Sequence, residues 1–322
     1  MMAFTPPKPV PKGLWRRTPP AIFPPILGLL GLGLAWRRGA SDFGVPGEVV
    51  ELALGGLTLL ALFAALAYAG KVVRRPAVLA DDLRILPGYA GVAAAVLCLE
   101  QLVSVIAPYA PDQARALFWL ALALHLGLLG QLGLLLARAP AQQRRVTPAW
   151  HLPWSGLGVT ALAALHIGFA TLALWLFWIA LALSVLIWAV SAEQFRRERM
   201  PAPLRPLHAI HLAPMAYMGA LAVEMGLAGT ATALAVLSGA FALLLVAGAR
   251  WLLAGGFSPL WAALTFPTAS AAGFWLMLGG RAHLAGDLML VLATMLAVPI
   301  AVAILRGWGS GRLATKTGAA VA

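Results

Sequence analysis

The residues best placed to act on a solute lie between Leu260 and Trp275. This stretch is apolar enough to cross a membrane, yet Pro267 stands in its middle. Proline removes a backbone donor and pushes on the carbonyl one turn back, at Ala263, so the helix is expected to kink or break there. Freed polar groups at membrane depth are tolerated only where protein covers them or where they line a watery cavity. Phe266 sits at the break, and Thr268, Ala269, Ser270, Ala271, Ala272 and Gly273 follow it. Such small residues leave room for neighbouring helices or for a lumen. The chemistry implied is passage rather than covalent catalysis. The helix would line a pathway and Phe266 would plug it, forcing an ion to shed water. The competing reading is an ordinary kinked helix with its phenylalanine facing lipid.

Other side chains fit the same chemistry. The hydroxyls of Thr160, Thr265, Thr268 and Ser270 can donate to a passing anion, or be spent on neighbouring helices and on carbonyls one turn back. Glu100 lies deep in an apolar run, where an acid is costly, and it reads either as a candidate proton or selectivity site or as a structural acid that is neutral or paired. Glu224 falls near a span end and reads as interfacial. His208 and His211 share one face at i, i+3. With no Cys, Asp or Glu nearby they make no metal set, and they read as pH-sensing or anion-binding groups. His125 and His166 are isolated in sequence and read as satisfied by neighbours.

The elements that must position these residues are membrane spans. The 322-residue chain is 61% hydrophobic and only 11% charged, against roughly 25% charged in soluble domains. Apolar runs of about 20 residues occur at about 20–36, 48–70, 86–107, 114–137, 152–168, 169–190, 206–226, 228–254, 258–279 and 284–305. The expectation is an all-α polytopic protein of ten spans (20–306), with a basic Pro-rich arm (1–19) and a tail (307–322), both cytoplasmic. With the N-terminus inside, every one of the 23 basic residues except Arg37, Arg38, Arg115 and Arg281 falls on the inner side, a strong positive-inside bias. The run Phe23-Pro24-Pro25 and the absence of a small-residue cleavage site before Arg37-Arg38 mark the first span as retained. One cysteine, Cys98, excludes an internal disulfide.

Proline adds a second regularity. Pro24, Pro25, Pro87, Pro153, Pro214, Pro259 and Pro267 fall in odd spans, whereas even spans carry only Pro299. The alternation predicts five helical hairpins, with odd helices around a central axis and even helices against lipid. Spans 1, 7, 9 and 10 are the ones expected to bend, and Pro24, Gly28, Pro214, Thr265, Pro267 and Ser270 are candidates to line the axis.

At this point the residues resemble a known family. Phe23-Pro24-Pro25-Ile26-Leu27-Gly28 with Leu34-Ala35-Trp36-Arg37, Leu212-Ala213-Pro214, and Trp261 followed by Thr265-Phe266-Pro267 resemble the first, seventh and ninth helices of the tellurite-resistance/dicarboxylate transporter family. That family includes the bacterial TehA proteins and the plant slow-type guard-cell anion channels. The resemblance implies ten helices in five hairpins, an anion pore occluded by the phenylalanine at 266, and commonly a trimer.

The leading expectation is a gated anion channel or exporter in a bacterial-type inner membrane, with small inorganic or organic anions as solutes. The alternative is a proton-coupled carrier of C4-dicarboxylates or related oxyanions, with Glu100 as the proton site. The scattered histidines argue against a membrane enzyme or a haem protein. No cofactor, metal or nucleic-acid partner is expected.

Overall fold

The computed structural model describes residues 13–140 and 144–322, so the start of the basic arm, with Lys8 and Lys12, lies outside the described residues. These form an all-helical protein with no strand. Helices α1 (Phe23–Gly39) and α2 (Gly47–Arg74) make the first hairpin, and the short α3 (Ala77–Leu83) leads to the second, α4 (Leu86–Ile106) and α5 (Pro111–Arg138). The third is α6 (Leu157–His166) with α7 (Ala170–Arg197), and the fourth is α8 (Leu212–Glu224) with α9 (Ala228–Ala247). After the short α10 (Ala249–Leu252) come the fifth pair, α11 (Thr265–Leu276) and α12 (Gly280–Gly309), and a final turn, α13 (Arg312–Lys316).

The hairpins are sorted into two layers. Helices α1, α4, α6, α8 and α11 each pack on the next, and α11 returns to α1, so the five close a ring. Each partner helix packs outside its own hairpin mate. Burial follows the layers. The apolar windows holding α1, α4 and α8 are 72%, 78% and 89% buried, against 22%, 22%, 33%, 17% and 33% for α2, α5, α7, α9 and α12. Exposed apolar side chains such as Leu59, Leu66, Trp119, Trp175, Leu243 and Met295 cover the outer helices. A belt this apolar is a lipid-facing surface, and the protein is a multi-pass membrane protein.

Among the described residues, eight helical segments are long and apolar enough to cross a membrane by length and composition, α1 and α8 being counted with their adjoining 3-10 stretches. The other two ring members, α6 and α11, are shorter. They reach their depth behind tight 3-10 segments, Pro148–His151 before α6 and Pro259–Leu264 before α11. The 3-10 stretch Ala202–His211 runs into α8 in the same way, and Pro20–Ile22 into α1. Prolines therefore mark a change of helix type more than a bend within one helix. Pro24, Pro214 and Pro267 each stand in the first turn of an α-helix, where the missing N–H removes no helical bond. In the outer layer α12 runs from Gly280 to Gly309 through Pro299 without interruption.

The first described residues and the C-terminal residues meet on one face, the terminal face. The Ala322 N–H donates to the Arg16 carbonyl at 3.0 Å, and the Arg16 guanidinium donates to the Ala322 carbonyl at 3.1 Å. Beneath them lies a fully buried ion pair, Lys71 with Asp82 at 2.8 Å. Lys71 also donates to the Thr18 carbonyl, Tyr68 donates to Asp82, and the Ala320 N–H donates to the other Asp82 oxygen. Every strong polar atom of the pair is partnered, which is what makes a buried ion pair tolerable. The pair ties α2, α3, the segment before α1 and the C-terminal tail together.

Inner-ring packing depends on backbone contact. A Cβ on Gly91 of α4 would lie 2.3 Å from the backbone of Pro20, which cannot rotate away. Gly91→Ala should destabilise the detergent-solubilised protein by about 1–3 kcal/mol. Gly130→Ala on lipid-facing α5, where a Cβ meets nothing within 4 Å, should leave the thermal unfolding midpoint unchanged or raise it.

Candidate functional site

Phe266 occupies the second position of α11 and is 5% exposed. Its ring stacks on that of Tyr217 from α8, with centroids 6.2 Å apart and planes at 26°. Two glycines of α1 make space for this end of α11. A Cβ on Gly28 would lie 2.1 Å from the Thr265 hydroxyl, and one on Gly31 would lie 3.0 Å from the Phe266 ring. Gly158 of α6 serves the other ring, since a Cβ there would sit 2.5 Å from Tyr217. The Tyr217 hydroxyl donates to the Ser155 carbonyl at 2.7 Å, which fixes the ring against the segment leading into α6.

The two rings separate two cavities. The first, about 200 Å³, opens towards the terminal face between Pro24, Ala90, His151, Pro203 and Pro259, and Lys316 and Thr317 of the tail border it. The second, about 40 Å³, lies towards the opposite, distal face between Arg38, Gln101, Ser104, Ser270 and Phe274. Only Phe266 and Tyr217 line both. Every helix of the ring contributes to one or both walls.

The sequence candidates fall in different places. Pro24 and Pro267 border the terminal cavity, and Ser270 borders the distal one. Gly28 and Thr265 lie at the α1–α11 contact. The Thr265 hydroxyl donates to the Ala262 carbonyl at 2.8 Å and lies 3.3 Å from that of Pro24, while the Thr268 hydroxyl donates to the Leu264 carbonyl at 2.7 Å. These two hydroxyls satisfy carbonyls released where 3-10 helix gives way to α-helix. Pro214 is buried within α8 and borders neither cavity. His151, a residue with no sequence signal of its own, borders the terminal cavity and is 2.9 Å from His211, ring nitrogen to ring nitrogen.

Glu100 is fully buried but also borders neither cavity. One carboxylate oxygen lies 2.8 Å from His125 Nδ1 and accepts from the Thr160 hydroxyl at 2.8 Å. His125 Nε2 is 2.7 Å from the Pro153 carbonyl, which can only accept. Both ring nitrogens thus face acceptors, so a shared proton lies between His125 and Glu100 and the pair carries no net charge. The second Glu100 oxygen is buried without a partner. The sequence offered no pairing signal, because Glu100 lies near the end of α4 whereas His125 is roughly four turns into α5.

Tyr217, Gln101 and Arg38, with His151, are cavity residues that sequence reasoning missed. Arg38 bonds Glu224 at 3.1 Å, and Glu224 in turn lies 3.0 Å from His166. Neighbouring Arg37 is held by both oxygens of Glu51 at 2.7 and 2.6 Å. A separate group, Asp42, His283 and Asp287, brings its ligand atoms within 4.8 Å of one another, the spacing at which a metal ion can be held. It lies at the loop after α1 and the first turns of α12, outside both cavities.

The Glu100–His125 pair should behave as one unit. Glu100→Ala and His125→Ala should each cost more than about 1.5 kcal/mol by leaving a buried polar partner alone. A Glu100→Leu/His125→Leu double variant should cost less than the sum, a coupling readable from unfolding midpoints in a double-mutant cycle.

The arrangement is therefore a ring of five helices around two cavities parted by a stacked pair of rings, with no charged side chain at the constriction. No curated protein matches the chain. Residues 17–306, which hold the whole ring and its outer layer up to α12, match the sequence pattern of a family described as voltage-dependent anion channels. The chain belongs to that family, the SLAC1 family.

Proposed function

We propose that the protein is a gated anion channel whose path runs along the axis of the α1–α4–α6–α8–α11 ring, through the position held by Phe266 and Tyr217. The observation that carries this reading is that the two cavities share those two rings and nothing else. An anion crossing them must lose most of its water, and an apolar constriction closes by dewetting as much as by contact. Gating would then be a displacement of the Phe266 ring from the axis. Its seat against Gly31 is a surface it can leave without breaking a hydrogen bond.

The positive-inside bias supports assigning the terminal face to the cytoplasm of a bacterial-type inner membrane. The resemblance carried by the first, seventh and ninth spans supports a homotrimer in which each chain has its own path. The proton-coupled carrier reading finds less support. Glu100 is turned towards α5, away from both cavities, and its charge is already balanced by His125.

Wild-type protein in liposomes should pass chloride or nitrate slowly, and Phe266→Ala at equal insertion should raise that flux at least tenfold, about 1.4 kcal/mol off the barrier. Tyr217→Ala should raise it by less, because Phe266 still covers the axis. Equal flux in wild type and Phe266→Ala, or uptake that appears only with an imposed proton gradient, would remove the axial-plug reading.

Topology is open to a direct check because Cys98 is buried at 2% exposure and leaves a silent background. A membrane-impermeant maleimide applied to intact cells should label Asp112→Cys, on the distal face. It should spare Ser310→Cys until the membrane is opened.

A further inference from the structure

The distal cavity has a chemistry of its own. Gln101 is only 7% exposed, and its Oε1 is buried with no partner. Among the described residues its amide nitrogen has no acceptor either, and that nitrogen is not sealed off as the oxygen is. A buried side-chain amide without partners is a costly feature, and it borders an open space. Ser104, at 6% exposure, and Ser270 line the same space. Among the described residues neither hydroxyl is spent on another group.

Among the described residues the only charged side chain on the wall is Arg38. Its Nη2 donates to Glu224 at 3.1 Å. Its Nη1 lies 3.6 Å from where a Cβ on Gly273 would stand, so the guanidinium leans across α11 beside the cavity. No carboxylate among the described residues lines the wall. Two N–H donors from Gln101, two hydroxyls and one partly neutralised guanidinium make a donor-rich pocket, closed on its inner side by the Phe266 and Tyr217 rings.

We propose that this cavity is a binding site for one small, weakly hydrated monovalent anion of the halide or nitrate class, held while the channel is closed. A cavity of about 40 Å³ has room for a few water molecules or one such ion. It is too small for a C4-dicarboxylate. A divalent oxyanion also fails on charge, because its far larger desolvation cost would meet a single arginine already shared with Glu224. The site gives the pore a selectivity step immediately before the barrier: ions that shed water easily and accept three or four neutral hydrogen bonds are stripped here first. This assignment rests on the axial-path reading for its role in conduction, while binding itself is measurable in the closed protein.

The test uses the full-length protein in detergent at constant ionic strength, with gluconate replaced stepwise by bromide, nitrate, sulfate or succinate. Bromide and nitrate should raise the unfolding midpoint along a saturable curve, and sulfate and succinate should not. Gln101→Met, which keeps the volume and removes the amide, should weaken the apparent affinity at least fivefold, and Ser270→Ala should weaken it two- to fivefold. Ser270→Ala also serves if Gln101→Met does not fold. Midpoints that respond equally to all four anions, or bromide and nitrate curves unchanged in both variants, would overturn the site. In the Phe266→Ala background, Gln101→Met should shift the nitrate-to-chloride flux ratio at least threefold. A conducting Phe266→Ala whose ratio ignores Gln101→Met sinks this site and leaves the pore. A silent Phe266→Ala with intact saturable binding sinks the pore and leaves an anion site without a path.

Discussion

The close approach of α1 to the start of α11 is the contact on which the rest of the structure depends. Gly28 admits Thr265, and Gly31 admits the ring of Phe266. Without those two missing side chains α11 would stand farther from α1, and Phe266 could not reach the axis to meet Tyr217. The ring of five helices is closed by this same α1–α11 contact. A single pair of glycines therefore serves both closure of the ring and occupation of its centre. Small residues at helix contacts are a general device in bilayers, where apolar surface gains little by leaving lipid and close van der Waals packing must supply the attraction.

The inner helices differ from the outer ones because they solve a different backbone problem. An outer helix faces lipid and must satisfy every N–H and C=O within itself, so α2, α5, α7 and α12 run unbroken for 28 to 30 residues. An inner helix is covered by protein and can change type midway. The 3-10 segments before α6, α8 and α11 leave carbonyls without α-helical donors, and Thr265 and Thr268 repay two of them. Proline fits the same junction, since it brings no N–H that would need an acceptor. The breaks place backbone ends and short helices beside the cavities, where continuous helices would present only side chains.

This explains which parts were legible in the sequence. Layering was, because burial on one side and lipid on the other leave opposite marks: proline and glycine where protein covers the backbone, smooth Leu/Ala/Val where it does not. Phe266 was legible because it sits beside Pro267. Tyr217 was not, although Pro214 stands one turn before it. Nothing in spacing reveals that α8 turns that residue towards α11, or that Gly158 of α6 makes room for its ring. Gln101 was overshadowed by the acid beside it. Glu100 drew attention by its charge, yet it turns towards α5, while its neutral neighbour borders the cavity. Adjacent residues on a helix diverge by about 100°, and the hydropathy of the window cannot say which of the two faces the axis. Lys71 was legible only as a topology charge. Its burial with Asp82 depends on Thr18 and Ala320, which lie far from it in sequence.

Charge is distributed so that the axis carries almost none. Lys71 is paired with Asp82, Arg37 with Glu51, Glu100 with His125, and Arg38 with Glu224. A bare arginine at the constriction would attract an anion but also hold it, because in a low-dielectric site the attraction grows as the surrounding water is lost. A bare carboxylate would exclude it. Neutral amide and hydroxyl donors avoid both extremes, and conduction requires binding that is favourable enough to enter yet weak enough to leave. In the proposed channel the basic residues act from the ends, raising anion concentration at the terminal face through the long-range field. The wall near Phe266 is left to discriminate by dehydration. That division of labour accounts for a chain with a formal charge of +12 whose two inner cavities are parted by two aromatic rings.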